Sequence, residues 1–265
     1  MTRLLLTIAV LLTCGLAQAQ NAPTAFKSTE VVPGIYMLEG DGGFAGGNIT
    51  LLAGDDRIVL IDDGLEPLAP ALIEAASDLA GQTIDFVINT HIHRDHTGGN
   101  AALSDAGATI FAHDNIRSRM LEDIDAYGGP DTLPFITFSD SVTFHINGQE
   151  AFIFHVARAH TDGDAVIHFP DSNVIHAGDI LFNGLFPFID LDNGGSYEGF
   201  LNGQREMLAL ADDNTIIIPG HGRLASKADL QAAIDMLADA GARVKKMVDA
   251  GKSEDEIVAA NPLAL

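Results

Sequence analysis

Apolar and polar positions along the chain fall into two strand-rich halves, each followed by helical periodicity. In the first half, residues 34–39 and 48–53 read as paired strands and residues 57–61 as a third. The first two are joined by Gly40-Asp41-Gly42-Gly43-Phe44-Ala45-Gly46-Gly47, whose five glycines predict a flexible connection with one aromatic at its tip. Residues 67–80 place Leu68, Leu72, Ala75, Ala76 and Leu79 on one helical face, and Gly81 stops that helix. Residues 83–90 read as a buried strand, apolar and β-branched. A helix over 100–106, a strand over 109–112 and a polar helix over 114–122 complete this half.

The second half predicts strands over 141–146, 150–157, 165–169 and 173–177. A helix over 196–211, a strand over 215–218 and helices over 226–240 and 254–260 follow. Such an order predicts an α+β fold in which two sheets pack face to face with helices outside, a four-layer αβ/βα sandwich. The run Leu185-Phe186-Pro187-Phe188-Ile189 is expected to pack in the core.

The first 19 residues have a different pattern. Arg3 precedes an apolar run over residues 4–12, and Ala17-Gln18-Ala19 puts small residues at signal-peptidase positions. This predicts a secretory signal cleaved near Ala19 and a periplasmic or secreted protein of one domain over residues 20–265. The apolar run is short of the ~20 residues that span a bilayer, so no stable membrane insertion is expected. The only cysteine, Cys14, lies in this segment, which leaves the mature chain no thiolate for a disulfide or a metal.

With 265 residues, 47% of them hydrophobic, the chain can bury a sizeable core. Asp and Glu number 37 against 14 Lys and Arg, a net charge of −23. That excess repels polyanions and argues against nucleic acid, leaving a small-molecule substrate as the expected partner.

Candidate chemistry is concentrated in His91-Ile92-His93-Arg94-Asp95-His96, four potential metal ligands in six residues on the loop leaving a predicted strand. Imidazole and carboxylate suit a zinc ion of borderline softness. The pattern H-x-H-x-D-H resembles the metallo-β-lactamase superfamily. Later, His160, Asp179 and His221 each follow a predicted strand near glycine, in the order that the superfamily uses. By resemblance, His91, His93 and His160 bind one zinc ion, Asp95, His96 and His221 bind a second, and Asp179 bridges the two. A water shared by two zinc ions would have its pKa drawn from about 15.7 toward ~7, supplying hydroxide for attack on a carbonyl, with Asp95 managing the proton.

The same resemblance implies that Asp62, in Ile61-Asp62-Asp63-Gly64, buttresses the metal loop, that Phe44 is the apolar contact of a substrate flap, and that Asn193 helps to hold the carbonyl oxygen. For Phe44 an ordinary mobile turn, and for Asn193 a plain turn beside Gly194 and Gly195, are equal alternatives, and Asp62 can also be read as a turn former or helix cap. His113, His145, His155, His168 and His176 lack motif partners and are expected to be structural.

The chain departs from the best-known zinc β-lactamases, having Asp179 at the position of their cysteine ligand and Phe182 where many carry a lysine for the drug's carboxylate. The overall likeness is to a periplasmic class B β-lactamase-like member with Asp in place of Cys. It implies an exported binuclear zinc hydrolase that opens a small cyclic amide or ester, with weak or promiscuous β-lactam opening in its range. The alternatives are a glyoxalase II-like thioesterase or lactonase and an iron-dependent redox enzyme on the same ligands. The residues after His221 are too few for the glutathione-binding domain of glyoxalase II.

Overall fold

The computed structural model describes residues 25–264, so the predicted signal segment and Cys14 lie outside the described residues. The first sheet has seven strands in chain order: β1 (Phe26–Val32), β2 (Ile35–Gly40), β3 (Ile49–Leu52), β4 (Val59–Ile61), β5 (Phe86–Ile88), β6 (Thr109–His113) and β7 (Ile136–Phe138). The predicted pairing of the first two strands holds as β2 with β3, in antiparallel register Ile35 to Leu52 and Leu38 to Ile49. From β4 to β7 the sheet is parallel, with α1 (Ala69–Ala80), α2 (Arg94–Thr97), α3 (Asn100–Asp105) and α4 (Asp114–Glu122) in the crossovers.

The second sheet contains β8 (Ser141–Ile146), β9 (Gln149–His155), β10 (Ala165–Phe169), β11 (Val174–His176), β13 (Ile216–Ile218) and β15 (Ala225–Ser226). Two short strands, β12 (Phe182–Asn183) and β14 (His221–Gly222), pair with each other beside it. The helices of this half are α5 (Tyr197–Leu210), α6 (Lys227–Asp249) and α7 (Glu254–Ala260). Among the described residues no helix is long and apolar enough to cross a membrane.

Strand alternation builds the four layers. On β3, Leu52 points inward to meet Ile153, Ile167 and Phe169 of the opposing sheet, while Leu51 points outward to pack with Leu72 and Ala76 of α1. Likewise Ile167 faces the central layer, and its neighbour Val166 joins Phe200, Met207 and Leu230 beneath α5 and α6. Three apolar layers thus alternate with two sheets, as predicted.

Some elements differ from expectation. β1 precedes the first predicted strand, in a stretch whose polar residues give no strand pattern, because four of its seven residues are exposed. β7 is a three-residue edge strand in what reads as loop. α6 continues to Asp249, nine residues past the predicted end; its turns beyond Ala240 are solvated, with Val244 and Met247 only partly buried. The run over residues 185–189 is not core: Leu185, Phe186 and Phe188 are more than half exposed.

Candidate metal centre

β5 ends at Ile88, and the next eight residues carry four of the predicted ligands. The loop is tied to Asp62, which follows β4. Thr90 donates its N–H to Asp62 Oδ1 (2.7 Å) and its Oγ1–H to Oδ2 (2.8 Å). His96 donates from Nδ1 to the same Oδ2 at 2.7 Å. Asp62 adopts φ +64°, an uncommon conformation for a residue with a side chain, held by these three bonds and by its own N–H donating to Ile88 O at 2.8 Å. Burial alone would raise the Asp62 carboxyl, but the His96 and His176 imidazoles outweigh it and hold the group below the usual carboxylate range.

These bonds choose the ring nitrogens that remain free. With Thr90 Oγ1 donating to Asp62, its lone pair receives His91 Nδ1–H at 3.0 Å, leaving His91 Nε2 to face the centre. His96 also presents Nε2, and so does His160, whose Nδ1–H is taken by Phe188 O at 2.9 Å. His93 is the exception. Its Nε2–H donates to Asp190 Oδ2 at 2.8 Å, and Nδ1 points inward, 2.8 Å from His160 Nε2.

Asp179 sits in the 3-10 turn after β11 and is 4% exposed. Its Oδ2 lies 3.4 Å from His160 Nε2, 3.4 Å from His221 Nε2 and 3.7 Å from His91 Nε2, while Oδ1 lies 3.2 Å from His96 Nε2. Burial opposes charge on this carboxyl, but the surrounding imidazoles, His96 and His91 foremost, hold it well below its ordinary range. His221 Nε2 is also 3.4 Å from Asp95 Oδ2. Burial works against a charge on His221, yet bonds to Asp179 and Asp95 raise it to about 9. His160, for which burial dominates, is lowered to about 4.

Two donor groups result. His91, His93, His160 and Asp179 each bring one donor atom within 4.8 Å of the others, and Asp95, His96 and His221 form a second such set. His91 Nε2 and Asp179 Oδ1 are buried with no hydrogen-bond partner. A buried orphaned imidazole nitrogen facing a buried carboxylate costs free energy unless something accepts both, and a divalent cation does so. The donor chemistry therefore fits metal. All seven predicted ligands converge.

The other predicted residues are placed as follows. Phe44 is 60% exposed on the β2–β3 connection, its ring 5.9 Å from that of His221 at an interplanar angle of 18°. Phe182 lies near-parallel to the same imidazole, at 5.2 Å and 19°. Asn193 is committed away from the donors: Nδ2 donates to Asp190 Oδ2 at 2.7 Å, and Oδ1 accepts from Arg119 at 3.3 Å. Of the histidines expected to be structural, His113 and His155 stack at 3.8 Å, and His176 is buried beneath the centre, 2.8 Å from Thr50 Oγ1 and 3.6 Å from Asp62 Oδ2. Asp190 and His176 have no motif signal, because Asp190 reaches the centre from a distant loop through His93, and His176, the last residue of β11, lies beside Asp62.

A cleft of about 480 Å³ opens over the donors, walled by Leu65, Phe182 and Phe188. Arg94, on its rim, pairs with Glu66 at 3.4 Å.

Comparison with known proteins agrees with this geometry. The sequence profile of the Metallo-beta-lactamase superfamily matches residues 42–221. A hydroxyacylglutathione hydrolase from Polaromonas sp. is 30% identical over 159 residues, 59% of this chain and 56% of that protein. The 2,4-dinitroanisole O-demethylase subunit alpha from Nocardioides sp. is 24% identical over 213 residues, covering 79% of this chain and 62% of that one. The chain thus spans less than two thirds of each of these relatives. A metallo-beta-lactamase from Pontibacter korlensis superposes with a TM-score of 0.70 at 17% identity, over 81% of this chain and 99% of that one. The metallo-beta-lactamase FIM-1 from Pseudomonas aeruginosa, in its mono-zinc form, gives 0.65 at 21% identity, over 84% and 99%. The chain belongs to the metallo-beta-lactamase superfamily.

Proposed function

We propose that the chain is a binuclear zinc hydrolase acting on a small amide or ester carbonyl, cyclic substrates such as lactones and β-lactams included. The observation that carries this reading is the position of Asp179, whose two oxygens reach toward both donor groups at once, Oδ2 toward His91, His160 and His221 and Oδ1 toward His96. His91, His93 and His160 would hold one ion, Asp95, His96 and His221 the other, and Asp179 both. Two zinc ions supply Lewis acidity toward a carbonyl oxygen and acidify water.

The chain's own residues do the remaining work. Asp62, Thr90, Phe188 O and Asp190 fix which imidazole nitrogens are offered. Asp95, 23% exposed at the cleft and held charged by His221 and His96 against the cost of burial, is the group placed to take a proton during ring opening. Phe44 and Phe188 flank the donors and exclude water from one side of a bound substrate. Asn193 acts on the substrate only through Asp190 and His93 in this arrangement.

Residues 1–19 are read as an export signal and residues 20–265 as a single domain. A second reading, thioester hydrolysis, draws support from the likeness to hydroxyacylglutathione hydrolases and from an aspartate at position 179. The test is turnover of a penicillin, a cephalosporin, a carbapenem, a hydroxyacylglutathione thioester and a simple aryl ester by zinc-loaded protein, with His93→Ala as control. Turnover of any that disappears in the variant supports the hydrolase reading and selects among its branches. Absence of turnover on the whole panel rejects it.

A further inference from the structure

The segment between β12 and α5 holds exposed phenylalanines over the site by bonds that enter the site itself. Phe188 donates no side-chain polar group, but its backbone oxygen takes His160 Nδ1–H, and two residues on Asp190 takes His93 Nε2–H. With its backbone tied to one ligand, the Phe188 ring stays 58% exposed and leans over two of them, 6.0 Å from the His93 ring and 5.9 Å from His160. Across the cleft, Phe44 and Phe182 lie near-parallel to His221. Leu185 and Phe186 continue this apolar surface, 55% and 62% exposed. Contiguous exposed apolar surface at a site's mouth marks where an apolar ligand is covered.

The cations tell the same way. Among the described residues lining this cleft and the adjoining one beyond His221, the lysines and arginines are Arg94, Lys27 and Arg223. Each already faces a carboxylate: Glu66 at 3.4 Å, Glu39 at 2.6 Å and Asp229 at 3.3 Å. An anionic substrate arm would have to displace one of these partners in a protein of net charge −23.

Resting on the hydrolase reading above, we infer that the substrate is a neutral carbonyl compound carrying an alkyl or aryl arm, and that Phe188, with Phe182 and Phe44, selects it against carboxylate-bearing substrates. The arm lies between Phe188 and the Phe182–Phe44 side while the carbonyl meets the donors.

A matched pair of chelating probes separates recognition from catalysis. Hexanohydroxamic acid and adipic monohydroxamic acid share the metal-binding head and chain length and differ in a terminal carboxylate. Calorimetry on the zinc-loaded protein is expected to show the neutral probe bound about tenfold or more tightly, because its terminal methyl gains from burial where the other probe's carboxylate must be desolvated. Phe188→Ser removes most of that preference, and Phe188→Lys reverses it; the side chain is more than half exposed, and melting curves verify folding. Equal or tighter binding of the carboxylate probe by the unmodified protein, or an undiminished preference in Phe188→Ser, overturns the inference. Hydrolysis of p-nitrophenyl hexanoate against mono-p-nitrophenyl adipate then reads the same preference in kcat/KM. If neither ester turns over while the probe preference stands, ester hydrolysis fails and the recognition claim is supported.

Discussion

Asp190 Oδ2 accepts the Nε2–H of His93 at 2.8 Å, and this bond decides which nitrogen of His93 the donor cluster receives. The carboxylate is itself anchored by Asn193, through Nδ2 at 2.7 Å and its backbone N–H at 3.1 Å. Asn193 Oδ1 accepts from Arg119, which makes a two-bond pair with Asp162 at 2.7 Å each. Burial would raise Asp190, but the bonds from Asn193 and His93 hold it at about 2. A carboxylate that orients a ligating imidazole typically accounts for about 10–100-fold in metal affinity. Asp190→Ala is therefore expected to weaken zinc at the three-histidine group by that factor, read by competition with a chelating dye. Unchanged affinity would show that His93 needs no such partner.

Asp62 makes a prediction about stability. It is fully buried, takes three hydrogen bonds from Thr90 and His96, and faces His176. Removing one member of a buried charged network typically costs about 3–5 kcal/mol, because its partners are left unpaired. Asp62→Ala is expected to lose that much in urea unfolding and to lose zinc from both donor groups. Loss below about 1 kcal/mol would mean that the network relaxes around the gap.

The glycines of the β2–β3 connection divide into two kinds. A Cβ at Gly47 would overlap the His96 ring, whereas one at Gly42 meets nothing within 4 Å. Gly42 has φ +79°, so Gly42→Ala pays only backbone strain, about 1–2 kcal/mol, with metal binding intact. Gly47→Ala displaces His96 and is expected to cut zinc affinity sharply at the Asp95–His96–His221 group. Equal zinc binding by the two variants would return Gly47 to the role of flexible hinge.

Asp164 gives a pH dependence. Buried and bonded to Thr161 N–H (2.8 Å) and Oγ1 (2.6 Å), it is raised from 3.8 to about 8, chiefly by burial. Between these values the folded state holds a proton that the unfolded state has lost, so this group's contribution is full below about pH 4 and falls as pH rises toward 8. Asp164→Asn imitates the protonated acid. Urea unfolding of the metal-free proteins at pH 5 and pH 8 is expected to show the unmodified chain losing stability relative to the variant at the higher pH. A parallel pH response in both would place the carboxyl near its ordinary value.

What could be read from the chain follows from how local each signal is. Four ligands fall within the six residues 91–96, so their cluster is visible in sequence, as are strands whose two faces are both covered, such as β10 and β11. His160, Asp179 and His221 come from three separate segments and needed the superfamily's order to be connected. Asp190 was invisible because a single long-range bond leaves no periodicity, and His176, expected to be structural, gave no sign that it faces Asp62. Residues 185–189 misled for a physical reason: a cleft wall made of Leu and Phe has the hydropathy of a core, and only the fold shows which side of it meets water.

The most direct test is zinc content measured alongside turnover through one cycle of chelation and repletion, using whichever substrate of the panel is hydrolysed. Binuclear zinc hydrolysis predicts that activity vanishes with the metal, returns with zinc, and reaches its plateau at two ions per chain. His221→Ala should then plateau at one. Activity that survives complete chelation, or a purified protein that carries iron and regains function only with iron, would contradict it.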